Sequence, residues 1–158
     1  MNTIWCRRYN RKVVRVEYHP LFASQYEQLC SDEATIEVAG EVTQLLDALE
    51  QYGQRIEGED PEDASHPIVT STLDMFALRR TPPTTYTPYA DHPPVLRIPY
   101  VWFYDSEAKG DLAVVMLMGD KSTLGSRWYP PQVQLIETKL VPEWERSHPT
   151  QRAWKRRH

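Results

Sequence analysis

Cysteine is scarce in this chain: Cys6 and Cys30 are the whole complement of 158 residues, too few for a disulfide framework. Long apolar runs are missing too. No stretch is long and apolar enough to cross a bilayer, and the opening MNTIWCRRYNRK lacks the apolar segment of a signal peptide. These absences lead us to expect a cytoplasmic, soluble protein, not associated with membrane, whose thiols stay reduced. The five histidines, His19, His66, His92, His148 and His158, stand singly and never join cysteine or carboxylate at metal-ligand spacing. Neither a structural metal nor a cofactor is expected, and there are no internal repeats.

What is present suits one domain. An apolar content of 41% over this length supports a sizeable single core, which we place at 1–147, leaving 148–158 (HPTQRAWKRRH) as a basic flexible tail. The net charge is −4, but the charges are blocked. Arg7, Arg8, Arg11, Lys12 and Arg15 crowd one end, Arg152, Lys155, Arg156 and Arg157 the other, and Glu57, Glu59, Asp60, Glu62 and Asp63 form an acidic loop. Local basic patches of this kind suit a polyanion, because phosphate contact depends on patches and not on the total; solvated surface charge explains each block alone equally well.

In chain order, residues 13–19 (VVRVEYH) alternate as a half-buried strand, which Pro20 ends. Phe22, Tyr26, Leu29 and Cys30 fall at helical spacing, and Asp32 can cap a second helix that carries Val38, Val42, Leu45, Leu46, Leu49 and Tyr52 and closes at Gly53. Residues 54–70, with the acidic loop, read as loosely packed and free of chemistry. A strand at 72–80 ends in Arg79 and Arg80, and 81–94, with five prolines, reads as an extended surface loop. Pro130 and Pro131 suit the first turn of a last helix with Val133, Ile136, Leu140 and Val141 on its apolar stripe, which Pro142 kinks or stops.

The stretch 95–129 organises the rest. Residues 95–104 alternate as a strand, interrupted on one face by Arg97, and 112–118 is apolar almost throughout, as in a strand covered on both faces. The short polar segment 105–111 makes the two an antiparallel hairpin. Arg97, Lys121, Arg127 and Tyr129 then fall at strand ends and in the following loop, where side chains can converge. The expected fold class is α+β: a small twisted, mainly antiparallel sheet with an N-terminal helical hairpin and a C-terminal helix packed on it.

That order, with LR at 78–79, LRIPY at 96–100 and the run from LMGDK to WY at 117–129, resembles the RelE/ParE superfamily of toxin–antitoxin toxins, and within it the RelE and HigB-like branch with its gp49-like phage versions. The resemblance covers roughly 13–140 in topology, while its sharper residues lie between 78 and 129. It implies a type II toxin acting as a ribosome-dependent mRNA endoribonuclease, an mRNA interferase that inhibits translation without a metal. The implied partners are a cognate antitoxin, in a hetero-oligomer, and the ribosome with its mRNA. Carried over by position, Arg97 meets the scissile phosphate, Lys121 is the basic residue after the next strand, Tyr129 stacks on a base or assists proton transfer, and Arg79 is the arginine of the LR pair. Arg80, Arg127 and His92 are candidate RNA contacts, His92 also a candidate for proton transfer. Two lysines of the RelE pattern are replaced by Met75 and Ala77, so that version of the proton-transfer machinery is incomplete.

Plainer readings stand beside these. Arg97 could pair with Asp74 or Glu17 across strands, Lys121 could be a turn residue, Tyr129 could be core like Trp128, and Arg79 and Arg80 could be edge-strand charges that discourage aggregation. A ParE-like toxin directed at gyrase, or a non-catalytic phage or prophage binding or regulatory protein of the same fold, are the alternative functions.

Overall fold

A computed structural model describes residues 13–53, 65–80 and 95–156. Its spine is β4 (Leu96–Asp105), which is buried at every position except Tyr104. One side of β4 pairs antiparallel with β3 (Met75–Arg80) and the other with β5 (Gly110–Val115), the expected hairpin. Short strands complete the sheet. β1 (Val16–Tyr18) lies parallel to β5, β2 (Ser65–Pro67) antiparallel to β3, β6 (Gly119–Asp120) pairs the start of β4, and β7 (Gln151–Ala153) pairs its end. The order β1-β5-β4-β3-β2 makes a mixed sheet in an α+β domain.

The two faces of the sheet are covered separately. Leu78, Leu96, Ile98, Tyr100 and Trp102 face a helical hairpin of α1 (Pro20–Ser31) and α2 (Ile36–Tyr52), where Phe22, Val42, Leu45 and Leu49 meet them. Burying each such leucine contributes about 1.5–3 kcal/mol. Gly53 ends α2 at φ +64, with its N–H on the carbonyl of Leu49. Asp32 does not cap α2 as expected: the helix begins at Ile36, and the Asp32 carboxylate accepts from Ala34 N at 2.9 Å in the turn before it. Cys30 is exposed, outside the stripe assigned to it.

Met75, Ala77, Val101, Phe103 and Val114 face the other way, onto a bent C-terminal rod. This rod runs from a 3-10 turn at Gly125–Trp128 through α3 (Tyr129–Leu135) and a π-helical turn at Ile136–Leu140 into α4 (Val141–Ser147). Pro142 therefore does not stop the helix. The widened turn just before it takes up the missing N–H, and Val141 and Trp144 stay in the core. No helix among the described residues is long and apolar enough to cross a membrane.

Proline decides a second detail. Met116 N donates to the Pro99 carbonyl at 3.0 Å, so the backbone edge of Pro99 faces β5, and its nitrogen has no proton to give there. The β5 line leaves the ladder after Val115 and rejoins as β6 at Gly119. Gln25 of α1 satisfies the freed backbone, accepting from Met118 N at 2.8 Å and donating to Met118 O at 3.1 Å. The detour carries the chain across the start of β4 and sets Lys121 there, its N–H on the Val95 carbonyl at 3.0 Å.

The C-terminal segment corrects the sequence reading. Residues 148–156 are no loose tail: β7 joins the sheet, Trp154 Nε1 donates to Asp111 at 2.9 Å, and Arg156 donates to the Val69 carbonyl. Strand pairing needs backbone partners and not apolar side chains, so the polar composition hid it.

Gly119 is tied to Trp128, whose indole lies where a Cβ would stand, with Cζ2 only 2.6 Å away. Gly119→Ala should cost about 1–3 kcal/mol by overpacking, read as a lowered denaturation midpoint. His19 gives a pH dependence. It is buried at the start of α1, its Nδ1 accepting from Leu21 N and its Nε2 3.2 Å from Glu143 of α4. Burial lowers its pKa, against the opposing pull of Glu143. The unfolded chain therefore binds the proton first, and stability present above about pH 6.5 is lost as pH falls through the lower folded value. Urea midpoints measured from pH 7.5 to 5 should drop for the wild type and drop less for His19→Gln.

Candidate functional site

The face that carries the C-terminal rod is not covered to its end. Beyond Ala77 and Val133 lies a cavity of about 840 Å³, open to solvent and of a size that takes small-molecule ligands. Its apolar wall is Pro67, Ile68, Val69, Ala77, Pro130 and Val133, and its polar rim includes His66, Arg79, Lys121, Ser126, Tyr129 and Gln134.

Register explains why the cations gather. Arg79 and Arg97 are direct partners across β3 and β4, and both follow the alternation of Ala77, Val101 and Phe103 onto the rod side. Gly119 is the β6 partner of Arg97, and Lys121 lies two residues further on the same side. His66 pairs with Ala77, making it a diagonal neighbour of Arg79 at about 7–8 Å. Lys121 Nζ sits 5.6 Å from the Tyr129 ring centroid, a cation–π contact, and Tyr129 packs edge-on to Trp128.

The charges act on one another. Burial and then the positive charges of Arg97 and Arg79 push the Lys121 pKa down, and burial, Arg79 and Arg97 lower that of His66. Arg97 is 5% exposed and donates from Nη1 to the Leu96 carbonyl at 2.7 Å. The Arg79 Nε is buried with no hydrogen-bond partner among the described residues. Glu137 is the one carboxylate among the lining residues, and it accepts from Ser71 Oγ at 2.6 Å and Thr72 N at 3.1 Å.

Of the residues singled out from sequence, Arg79, Lys121 and Tyr129 line this cavity and Arg97 stands behind it. The alternative pairing of Arg97 does not fit the register. Asp74 lies level with Trp102, five residues and so about 16 Å along the ladder, and Glu17 is held by Arg15 at 2.5 Å. Arg80 points to the opposite face, where it donates to Glu41 at 2.8 Å and Gln44 at 2.9 Å and ties β3 to α2. Arg127 is exposed in the 3-10 turn and does not line the cavity. His92 lies outside the described residues, as do residues 57–63.

His66, with Pro67 to Thr70, is what sequence reasoning missed, because 54–70 reads as a loop without chemistry. A three-residue strand containing proline leaves almost no alternation to detect. Its neighbour Ile68 is buried, and Ile68 N donates to the Met75 carbonyl at 2.8 Å.

A site of this kind should register an anion before any substrate. Phosphate at matched ionic strength should raise the melting temperature of the wild type above its value in chloride, as binding to the folded state requires. Arg79→Met should be more stable than the wild type in chloride by about 0.5–1 kcal/mol, since like charges directly opposite on a sheet repel, and should lose most of the phosphate effect. Calorimetric scans in the two salts decide it. No protein-family model, curated protein or solved structure matches this chain.

Proposed function

We propose that the cleft binds a phosphodiester of messenger RNA and that the protein is the toxin of a type II toxin–antitoxin pair, an endoribonuclease acting on ribosome-bound mRNA. The observation that carries the reading is the convergence of Arg79, Arg97 and Lys121 with Tyr129 beside an apolar wall of nucleobase size.

Cleavage by a ribose 2′-hydroxyl puts growing charge on the phosphoryl oxygens. The Arg79 guanidinium, fixed on β3 at the cavity wall, meets that charge without reorganising and its fork can hold two oxygens, while the buried Arg97 behind it adds positive charge. In this reading Lys121 supports the departing 5′ oxygen, and Tyr129 with Pro130 and Val133, which line the same cavity, serves as a platform for the flanking base. The reading assigns the chemistry to general acids and bases. Clustered cations repel a divalent ion, and the carboxylate of the cleft is already engaged by Ser71 and Thr72. An acidic antitoxin segment laid over the same cations is the matching form of inhibition.

Induced in a bacterial host, the wild type should stop amino-acid incorporation before thymidine incorporation. Arg79→Ala should weaken the arrest by about 10²-fold, the scale for losing one transition-state donor, and the double variant with Lys121→Ala should grow normally while melting no lower than the wild type. A double variant as toxic as the wild type, or DNA synthesis halting first, would overturn the assignment.

A further inference from the structure

We propose that His66 is the proton acceptor for the attacking 2′-hydroxyl, an inference that rests on the phosphodiester reading of the cleft. It lies on β2, where the register with Ala77 points it to the same sheet face as Arg79, and it lines the cavity. The other described histidines are committed elsewhere, His19 to Leu21 and Glu143, and His148 to Trp144, on which its ring stacks at 3.7 Å. The imidazole of His66 has no hydrogen bond to any other described residue.

Its surroundings suit a base. Arg79 on β3, Arg97 on β4 and Lys121 after β6 are the cations facing it, Tyr129 and Glu137 the titratable groups from the rod. Partial desolvation at the cavity wall, then the charges of Arg79 and Arg97, lower its proton affinity and so favour the neutral ring, whose lone pair can accept a proton. A phosphodiester in the cleft offsets those positive charges and raises the proton affinity of His66 where the proton must be taken. The step balances. The 2′ oxygen forms a bond to phosphorus as its proton passes to His66, the bond from phosphorus to the 5′ oxygen breaks, and the 5′ oxygen takes a proton from Lys121 or water. A 2′,3′-cyclic phosphate and a 5′-hydroxyl result.

The test uses the full-length protein with translating ribosomes, scoring mRNA cleavage by primer extension as a function of pH. At subsaturating ribosome concentration, the wild-type rate should rise with pH through the ionisation of His66 in the free protein, below the usual histidine value, and then level. His66→Gln should cleave about 10²–10⁴-fold more slowly and lose the acidic limb, and added imidazole should partly restore His66→Ala. His66 is exposed, so both variants should melt as the wild type does. If the wild type cleaves and His66→Gln keeps its rate and acidic limb, His66 is not the base, although the cleft reading stands. If the wild type cleaves nothing, the cleft reading falls and takes this one with it.

Discussion

Two guanidinium groups face each other on neighbouring strands, and the fold around them is built so that they cannot turn away. Direct opposition of like charges works against folding, and a strand can escape it by slipping one residue. Slippage here would drive Arg97 into the space of Ile98 and Tyr100 against α2, and expose the side chains that pack on the rod. The cost of burying an unpaired charge among aliphatic side chains far exceeds the repulsion it would relieve. The two cores therefore hold the register, and the register holds Arg79 against Arg97.

Other features serve the same end of the sheet. Pro99 breaks the ladder two residues after Arg97, so the β5 line detours and returns with Lys121 in place. Gly119 admits the Trp128 ring at its surface, which seats the 3-10 turn and begins the rod that forms the cavity's far wall. At the other end, Asp105 is held by Arg15 at 2.8 Å and by the N–H groups of Glu107 and Ala108, which lowers its carboxyl to about 2. There the buried carboxylate has a partner of opposite sign. At the opposite end of the strand, register gathers cations beside an open cavity instead.

The sequence displayed the framework because its elements are long or strongly patterned. The helical stripe through Val38, Leu45 and Leu49 and the hairpin of 95–118 are local signals, and Arg97 stands out in its strand because its neighbours do not. What was hidden depends on partners far along the chain. β1 pairs parallel with a strand nearly a hundred residues later, β2 has three residues, and β7 is made of polar ones. Arg79 and Arg80 look alike in sequence, yet alternation alone sends one to the cavity and the other to Glu41. Nothing local says which face will be the open one.

A net charge of −4 does not prevent cations from gathering at one face, because distance separates the two effects. At physiological ionic strength an exposed charge is felt over about 8 Å, while Arg79, Arg97 and Lys121 lie within one or two strand spacings of each other. Inside the cleft their potentials add in a poorly screened setting, whereas the rest of the surface acts only at longer range, where salt cancels it. A phosphate group at this face therefore meets the summed attraction of these cations. On the proposed reading few phosphates would be engaged, so binding would depend on salt less steeply than it does for proteins that track a long backbone, and discrimination would fall to the apolar wall of Ile68, Pro130 and Val133.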